Sequence, residues 1–444
     1  MNVLDSLTTI DLFHPETLGV VYGIAGVFVV VLLTRPRRRR VWWPWIASGV
    51  VVGAAIGFAV TWYVGDVLNA FDVPPTTVDR VAVAAAVAGI AIAFHNFFRT
   101  VWWRRVVASL SIVSFLLVAA LAINEDGGVY QTVAQLLGTD KTAPLALPTP
   151  KAGAGVVAGF SPKLYRTWKA PVLMPRKGRL GSVTIPATTS DFPARSALVY
   201  LPPAALVKRA PALPVLVMMS GQPGSPSSMT GPGKLVSTLN AYAKKNHGLA
   251  PIVVIPDQLG ASQDNPMCVN GPLGDSAAYI TVDVTNWIRT HLRVEGDRRA
   301  WGVGGFSQGA TCSIQFASGD PSLYGSVIDV SGQLGPVLSS PRASVAEGFD
   351  GDSLTYAAAQ PRAIMAAHGR YDDTDAFFGV GQDDAKYGRS MTIMSAAAEK
   401  AGMHVTRYLS PNSAHDWTTA SNGFAAGIGV LYPHLGLSSS KESL

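Results

Sequence analysis

Long apolar runs dominate the first third of the chain. Each run is close to the ~20 residues that a helix needs to cross the hydrocarbon core of a bilayer. Each is continuous rather than alternating, so the pattern predicts transmembrane helices and not barrel strands. The four runs cover about residues 17–34, 41–64, 81–98 and 106–123.

Beyond residue 170 the pattern changes to short β-rich runs that alternate with amphipathic stretches. This alternation predicts an α/β domain with a mainly parallel sheet and helices on both faces. The predicted strands are 181–186, 195–201, 214–219, 251–256, 299–305, 325–331, 362–367 and 404–409. The predicted helices are 233–245, 275–292, 308–318 and 389–401.

These patterns divide the chain. A membrane domain is expected over 1–123 and a globular domain over 171–437, with a short tail at 438–444. Residues 124–170 contain a Pro-rich piece and a Gly/Ala piece, which favour a linker. Residues 333–361 have no clear period and are expected to form a cap over the site described below.

Composition and charge agree with a membrane portion. Hydrophobic residues make up 48% of the chain and charged residues only 14%, with a formal net charge of +6. The arginines of the first third cluster beside the apolar runs, whereas residues 124–444 are nearly balanced. A basic stripe of the kind that binds nucleic acid is absent from the sequence, so no nucleic-acid partner is expected.

The distribution of arginine predicts the orientation in the membrane. Arginines occupy the loops after the first and third runs, and the other two segments outside the membrane carry acidic residues without Lys or Arg. The loop arginines are Arg35, Arg37, Arg38, Arg39, Arg40, Arg99, Arg104 and Arg105. The positive-inside rule makes these loops cytoplasmic. The N-terminus and everything beyond residue 124 are then expected outside a plasma membrane.

Gly49, Gly53 and Gly57 lie four residues apart on one face of the second run. This spacing permits close helix packing, which we expect within the chain rather than between two copies.

A candidate nucleophile follows the predicted strand at 299–305. The sequence Gly305-Phe306-Ser307-Gln308-Gly309 has the G-x-S-x-G pattern and opens a predicted helix. In that setting a sharp turn raises the serine hydroxyl above the sheet, and small flanking residues allow the turn to close. The motif therefore predicts Ser307 as a catalytic nucleophile.

A serine hydroxyl needs an adjacent base, and in this arrangement the partners follow in the order Ser, acid, His. His415 lies in a loop after the last predicted strand and before a final helix, so it is the predicted base. The acid should follow the penultimate strand, read as 362–367. Asp372 is the first choice there, and Asp373 and Asp375 remain alternatives.

Acyl transfer also needs donors for an oxyanion. One is expected from the backbone N–H of Gln308, directly after the nucleophile. The second is expected from the loop Ser220–Gly224, where Pro223 has no N–H and Gln222 is the better candidate. Cys268 and Cys312 are either free core thiols or a disulfide, and the predicted outside location favours the disulfide. Motifs for a metal, a nucleotide or another cofactor are absent from the sequence, so none is expected.

The residues quoted above resemble a known family. The segments 215–224, 256–287, 302–312 and 415–417 are similar to esterase-D-like α/β-hydrolases, and among these to the antigen-85-type mycolyltransferases. The resemblance implies a triad of Ser307, an Asp or Glu, and His415, together with an oxyanion hole from Gln222 and Gln308 and activity on lipid or sugar esters. Four membrane helices before such a domain also resemble actinobacterial membrane esterases.

Three functions follow as hypotheses. The first is a membrane-anchored, extracytoplasmic serine esterase that hydrolyses a lipid or cell-envelope ester through an acyl-enzyme on Ser307. The second is an acyltransferase that uses the same triad with a different acceptor. The third is a non-catalytic envelope binding module. The sequence leaves the oligomeric state open.

Overall fold

The protein is described from a computed structural model. The structure describes residues 10–34, 39–68, 75–98, 100–128, 132–136, 142–147 and 155–439, together with Thr8 and Tyr130. It divides into two compact units, Met1–Asp140 and Lys141–Leu444, so the division falls inside the predicted linker.

Four helices in the described part of the first unit are long and apolar enough to cross a membrane. They are α1 Pro15–Leu33, α2 Arg39–Trp62, α3 Thr77–His95 and α4 Trp102–Gly127; a π-helical turn, Tyr63–Val67, extends α2, and a short α5 spans Val133–Leu136. The first turn of α3 is fixed by a capping box, in which Thr76 and Asp79 accept each other's backbone N–H. Each of the four predicted runs overlaps one of these helices, although the third run, 81–98, extends three residues past the end of α3. Of the loop arginines, Arg35, Arg37, Arg38 and Arg99 lie outside the described residues.

The glycine face of α2 packs on α3, as the spacing predicted. A Cβ on Gly53 would lie 2.9 Å from the Ala88 Cα, and one on Gly57 would lie 2.7 Å from the Ala84 Cα. Only glycine lets the two backbones approach this closely.

The second unit is built on an eight-stranded sheet. Its strands are β2 Arg179–Val183, β3 Ala197–Leu201, β4 Val215–Met219, β5 Ile252–Ile255, β7 Trp301–Phe306, β8 Ser326–Val330, β9 Asp375–Gly381 and β10 His404–Ser410. Their order is β10-β9-β8-β7-β4-β5-β3-β2, and only β3 runs against the other strands, so that it pairs antiparallel with both β2 and β5. A separate pair joins β1 Val156–Val157 to β6 Val294–Glu295. The sheet is therefore mainly parallel, and its central strands are fully buried.

Helices cover both faces of this sheet. The remaining helices are α6 Leu164–Thr167, α7 Pro226–Thr230, α8 Leu235–Lys245, α9 Ser276–Ala278, α10 Thr285–His291, α11 Gln308–Gly319, α12 Pro341–Gly348, α13 Ser353–Ala358, α14 Pro361–His368, α15 Ala385–Lys400 and α16 Trp417–His434. A π-helical segment, Tyr279–Val284, joins α9 to α10, and 3₁₀ turns span Pro203–Leu206 and Arg298–Ala300. Gly305 faces α11 and Ile328 faces α16. The two helices therefore lie on opposite faces of the sheet.

One predicted strand is wrong. Residues 362–367 belong to helix α14, and the penultimate strand is β9, further along the chain. Pro361 occupies the first turn of α14, where a missing N–H costs nothing, and the Ala- and Met-rich residues after it favour a helix. A short apolar run without its neighbours does not distinguish strand from helix.

The second half of the predicted linker is ordered against the sheet unit. The backbone N–H of Leu145 donates to the Ser182 carbonyl at 2.9 Å, and that of Tyr165 donates to the Gly436 carbonyl at 3.0 Å. The Gly/Ala piece around Gly153 and the tail beyond residue 439 lie outside the described residues.

Candidate active site

Ser307 occupies the turn between β7 and α11. Its φ of 55° lies in the left-handed region, which is uncommon for a residue with a Cβ. A Cβ on Gly305 would lie 2.6 Å from the Met219 carbonyl oxygen, and Gly309 is pressed against the same carbonyl. The two glycines of the motif therefore permit the sharp turn that holds the serine at the carboxyl edge of the sheet.

His415 comes to this serine from the loop between β10 and α16. Its Nε2 lies 2.9 Å from the Ser307 Oγ. The imidazole ring is fixed on both faces, because it stacks on Tyr387 with centroids 3.9 Å apart and on Phe306 with centroids 4.9 Å apart. Only 9% of the side chain is exposed. The predicted nucleophile and base are thus in hydrogen-bonding contact in a nearly closed site.

The carboxylate that meets His415 is Asp384. Its Oδ2 lies 3.3 Å from the His415 Nδ1, and 6% of the side chain is exposed. Its Oδ1 accepts the backbone N–H of Tyr387 at 2.9 Å, so the aspartate also caps α15. The cap holds one oxygen in place and leaves the other for the imidazole, as an orienting acid requires.

The prediction of Asp372 as the acid is contradicted by the structure. The Asp372 side chain is 68% exposed and pairs with Arg370. Asp373 lies in a turn, where its carbonyl accepts from Arg298. Asp375 begins β9, and it contacts His404 and His434 rather than His415. The physical reason is the misread strand: the rule that the acid follows the penultimate strand leads to Asp383 and Asp384, just after the end of β9, and of these Asp384 contacts His415.

The two backbone groups predicted to bind an oxyanion are available. Within the described residues, the N–H groups of Gln222 and Gln308 have no hydrogen-bond partner. A Cβ on Gly221 would lie 3.3 Å from the Ser307 Cβ, so the loop that carries Gln222 runs directly beside the nucleophile. The Gln222 side chain is tied to the Gln263 carbonyl at 2.8 Å. This arrangement can present two donors to a developing negative charge.

Sequence reasoning missed Gln258, which connects the two donor segments. Its Nε2 donates to the Ser220 carbonyl at 2.6 Å and to the Gln308 Oε1 at 2.9 Å, and the residue is completely buried. Arg195 holds the other end of the same loop by donating to the Gly224 carbonyl at 3.0 Å while it pairs with Asp257. The signal available was position: Gln258 follows the carboxyl end of a buried strand, β5.

Cys268 and Cys312 are joined in a disulfide, with Cα atoms 5.4 Å apart. Cys312 lies on α11, and the Cys268 Sγ is 3.5 Å from the Gln308 Nε2. The bond therefore ties the loop before α9 to the helix that the nucleophile begins.

A further buried carboxyl, Asp329, lies on the neighbouring strand β8. Its Oδ1 accepts the Gly332 N–H at 2.8 Å. Burial raises the pKa of the Asp329 carboxyl to about 7, and the Gly332 hydrogen bond opposes this only in part. It lies on the α11 face of the sheet, since its register partner Gly305 faces that helix.

The described residues contain no group of three or more His, Cys, Asp or Glu side chains that could hold a metal ion. The groups that the structure brings together for chemistry are Ser307, His415, Asp384 and the backbone donors.

Comparison with known proteins gives three kinds of match. The Esterase family model, described as "putative esterase", matches residues 194–423, just over half of the chain. An uncharacterized protein of Corynebacterium glutamicum is 30% identical over 410 residues, which cover 90% of this chain and 91% of that protein.

Several solved structures also match. One is an S-formylglutathione hydrolase from Agrobacterium tumefaciens, with a TM-score of 0.49, 16% identity, and coverage of 60% of this chain and 100% of the other. Another is a ferulic acid esterase from Anaeromyces mucronatus, with a TM-score of 0.44, 16% identity, and coverage of 63% and 99%. Because the family model matches more than half of this chain, the chain belongs to the esterase family.

Proposed function

We propose that this protein is a membrane-anchored serine esterase that hydrolyses a lipid or cell-envelope ester outside the cytoplasm. One observation carries the proposal: His415 lies 2.9 Å from the Ser307 Oγ through Nε2 and 3.3 Å from Asp384 through Nδ1. This is the connectivity of nucleophile, base and orienting acid that acyl transfer from an ester requires.

The reaction follows from this geometry. His415 takes the Ser307 proton as the Oγ attacks the ester carbonyl, and the N–H groups of Gln308 and Gln222 stabilise the oxyanion. The tetrahedral intermediate collapses when the protonated His415 gives its proton to the leaving alcohol oxygen, which leaves an acyl-enzyme on Ser307. Water then attacks the acyl carbon with His415 as base, and the bond from the acyl carbon to the Ser307 Oγ breaks as His415 returns the proton to that oxygen, which releases the acid. Asp384 orients the ring and stabilises its charged form.

The surface of the four long helices supports anchoring. Their outward side chains include large apolar groups with more than half of their surface exposed, such as Val27, Val51 and Leu117. An apolar surface of this extent is unusual on a protein that faces water and is expected on one that faces lipid. The orientation, with the esterase domain outside, rests on the arginine distribution.

The segment 333–361 supports a role in substrate binding. The Gln333 N–H donates to the Thr311 Oγ1 at 2.9 Å, and the same Thr311 hydroxyl donates to the Ser307 carbonyl at 3.0 Å. Further along, the Val337 carbonyl accepts from Asn265. The segment therefore begins beside the nucleophile, where it can contact the acyl or alcohol part of an ester.

The test is hydrolysis of a short-chain p-nitrophenyl ester by the full chain in detergent. We expect Ser307→Ala to lower the rate by about 10⁴-fold or more, because the acyl-enzyme can no longer form. Asp372→Asn is the matched control and should retain activity within about twofold, since surface changes have small effects. Labelling of Ser307 by a fluorophosphonate reports the activated nucleophile without depending on the substrate.

The outcomes separate the alternatives. A folded wild type that neither hydrolyses the ester nor takes up the fluorophosphonate would contradict the proposal and favour the binding module. Labelling without hydrolysis retains the nucleophile and rejects only the short-chain ester. Transfer of the acyl group to an added alcohol or sugar, in preference to water, would assign the acyltransferase function.

A further inference from the structure

A basic and apolar surface lies on the sheet unit, away from the site described above. We call it the basic–apolar surface and define it by two exposed apolar side chains with cations on both sides. Val172 is completely exposed and Leu173 is 94% exposed. The cations are Lys163, Arg166, Lys169, Arg176, Lys177 and Arg179, all of which are exposed.

The loop that carries these residues is held firmly by the domain. The Trp168 Nε1 donates to the His247 carbonyl at 3.0 Å, and the Gly178 N–H donates to Asn240 at 2.8 Å. Between them the Met174 side chain is packed against Gly248, where a Cβ would not fit. Val172 and Leu173 are therefore adjacent apolar side chains that a braced loop holds almost fully exposed.

The charge of this surface is of one sign. Residues 155–190 contain no acidic residue. In the described part of the chain none of the six cations forms an ion pair. Lys244 and Lys245, at the end of α8, are also exposed and lie next to the His247–Gly248 turn that holds the loop. Glu295 accepts the Ser161 N–H at one border but is itself buried.

We propose that the basic–apolar surface docks the esterase domain on an anionic lipid bilayer. Lysine and arginine near such a surface are attracted to lipid phosphates, and apolar side chains at the tip of a loop enter the boundary between headgroups and acyl chains. A soluble protein partner would not explain why both features occur together in a chain with four apolar helices. The proposal rests on the membrane anchoring proposed above.

The position of the basic–apolar surface determines which edge of the sheet would face the bilayer. Arg179 pairs with Leu201, at the end of β3 that lies beside the first residue of β5. The basic–apolar surface is therefore at the edge where the parallel strands begin. Ser307 follows the carboxyl end of β7, at the opposite edge. A domain docked in this way presents its active site away from the bilayer, toward esters that arrive from the aqueous side. Of the two substrate classes proposed above, this arrangement favours a cell-envelope ester over a lipid held in the same bilayer.

The test uses the full chain in lipid nanodiscs with one introduced thiol. Because Cys268 and Cys312 are joined to each other, Leu173→Cys gives a single site for an environment-sensitive fluorophore. Leu354→Cys is the matched control, since Leu354 is 81% exposed on α13, in the segment that follows the carboxyl end of β8. The nanodiscs contain phosphatidylcholine with or without phosphatidylglycerol, and lipids with spin-labelled chains serve as quenchers.

We expect the probe at residue 173 to shift to the blue and to be quenched in nanodiscs that contain phosphatidylglycerol, while the probe at residue 354 stays aqueous. Each cation near an anionic surface contributes on the order of fivefold to such binding. The combined change Lys169→Glu, Arg176→Glu and Lys177→Glu should therefore weaken docking at least tenfold. The same change should leave p-nitrophenyl ester hydrolysis in detergent intact, because these residues lie at the edge away from Ser307.

The proposal would be overturned if the probe at residue 173 reported an aqueous environment in the anionic nanodiscs. It would also be overturned if the probe at residue 354 were quenched instead. Equal quenching with and without phosphatidylglycerol would reject recognition of anionic lipid. A response of the residue-173 probe to a soluble polyanion alone would assign the surface to an anionic polymer and equally overturn it. Co-elution with nanodiscs and ester hydrolysis are recorded on the same samples, so failure of docking is distinguished from failure of anchoring or of catalysis.

Discussion

Strand β9 has an aspartate–histidine contact at each end, and the two differ in ways that separate a reactive site from a structural one. At the amino end, Asp375 lies 2.9 Å from the His434 Nδ1 and 3.5 Å from the His404 Nδ1. At the carboxyl end, Asp384 lies 3.3 Å from the His415 Nδ1. The shorter contact is thus at the end without a nucleophile.

Burial and the third partner distinguish the two ends. The side chains of His434 and His404 are 47% and 68% exposed, whereas that of His415 is 9% exposed. The second nitrogen of His415 reaches Ser307, and its ring is held between two aromatic rings. An aspartate–histidine contact alone therefore does not mark an active site. A fixed ring with a nucleophile on its other nitrogen does.

The largest expected effect tests this contrast by removing one charge at each end of β9. Asp384→Asn should lower kcat for a p-nitrophenyl ester by about 10³–10⁴-fold, because the amide no longer stabilises the charged imidazole or its reactive tautomer. Asp375→Asn should change kcat by less than about twofold. Steady-state kinetics of both variants decides the matter. Comparable losses of kcat in the two variants would contradict the distinction between a reactive end and a structural end of β9.

Strand β9 also separates the features that could be predicted from the sequence from those that could not. The motif around Ser307 and the loop position of His415 predict two residues that lie in contact in the structure, because both depend on local turns and on chain order. Seven of the eight predicted strands overlap strands in the structure. The eighth, 362–367, has a compact apolar run, while β9 reads Asp-Ala-Phe-Phe-Gly-Val-Gly after an Asp-rich turn and resembles a loop.

The pairing of strands that are distant in the sequence could not be predicted from the sequence. β9 is a strand because β8 and β10 bind both of its edges, and its glycines are tolerated between them. Once that strand is placed, the order rule leaves Asp383 and Asp384, and the contact with His415 selects Asp384. The role of Gln258 likewise depends on β5 lying beside β4, which brings its amide to the Ser220 carbonyl.

The second prediction concerns Asp329, a buried aspartate that accepts a backbone N–H, that of Gly332, instead of pairing with a histidine. Its pKa of about 7 exceeds that of an unfolded carboxyl, so the folded state keeps a proton that the unfolded state has lost. Stability contributed by this group is present below about pH 4 and falls as pH rises through 7. Asp329→Asn keeps an acceptor for the Gly332 N–H and does not titrate. It should therefore be more stable than wild type by as much as roughly 4 kcal/mol above pH 8.

Thermal unfolding in detergent from pH 5 to pH 9 measures this difference, with Asp372→Asn as an exposed control. The stabilisation by Asp329→Asn should grow from pH 5 to a little above pH 7 and then level off, because the carboxyl is ionised in both states at higher pH. The control should follow wild type throughout. Parallel pH profiles for Asp329→Asn and wild type would show that the carboxyl is ionised in the folded protein.

A smaller effect is expected from the ring that stacks on His415. Tyr387→Leu removes an aromatic contact at 3.9 Å but keeps the backbone N–H that binds Asp384. Stacked pairs of this kind contribute about 0.5–1.5 kcal/mol, so kcat should fall about two- to tenfold. Tyr387→Phe retains the ring and should lose much less activity than Tyr387→Leu. If both variants behave alike, the ring is not what positions the imidazole.

The smallest effect belongs to the amino end of β9. The hydrogen bond to Asp375 raises the pKa of His434, so its contribution to stability is fully present below about pH 6.5 and is lost as pH rises through the folded pKa. Because the side chain is about half exposed, solvent screening limits this contribution to less than about 1 kcal/mol. His434→Gln should therefore be slightly less stable than wild type at pH 6 and equal to it at pH 9. Ester hydrolysis should not change at either pH.

Unfolding midpoints of His434→Gln and wild type at the two pH values test the expected difference in stability, with the more exposed His404→Gln as control. A loss of activity in His434→Gln with an unchanged midpoint would contradict the structural role of this end and would require communication along β9 to Asp384.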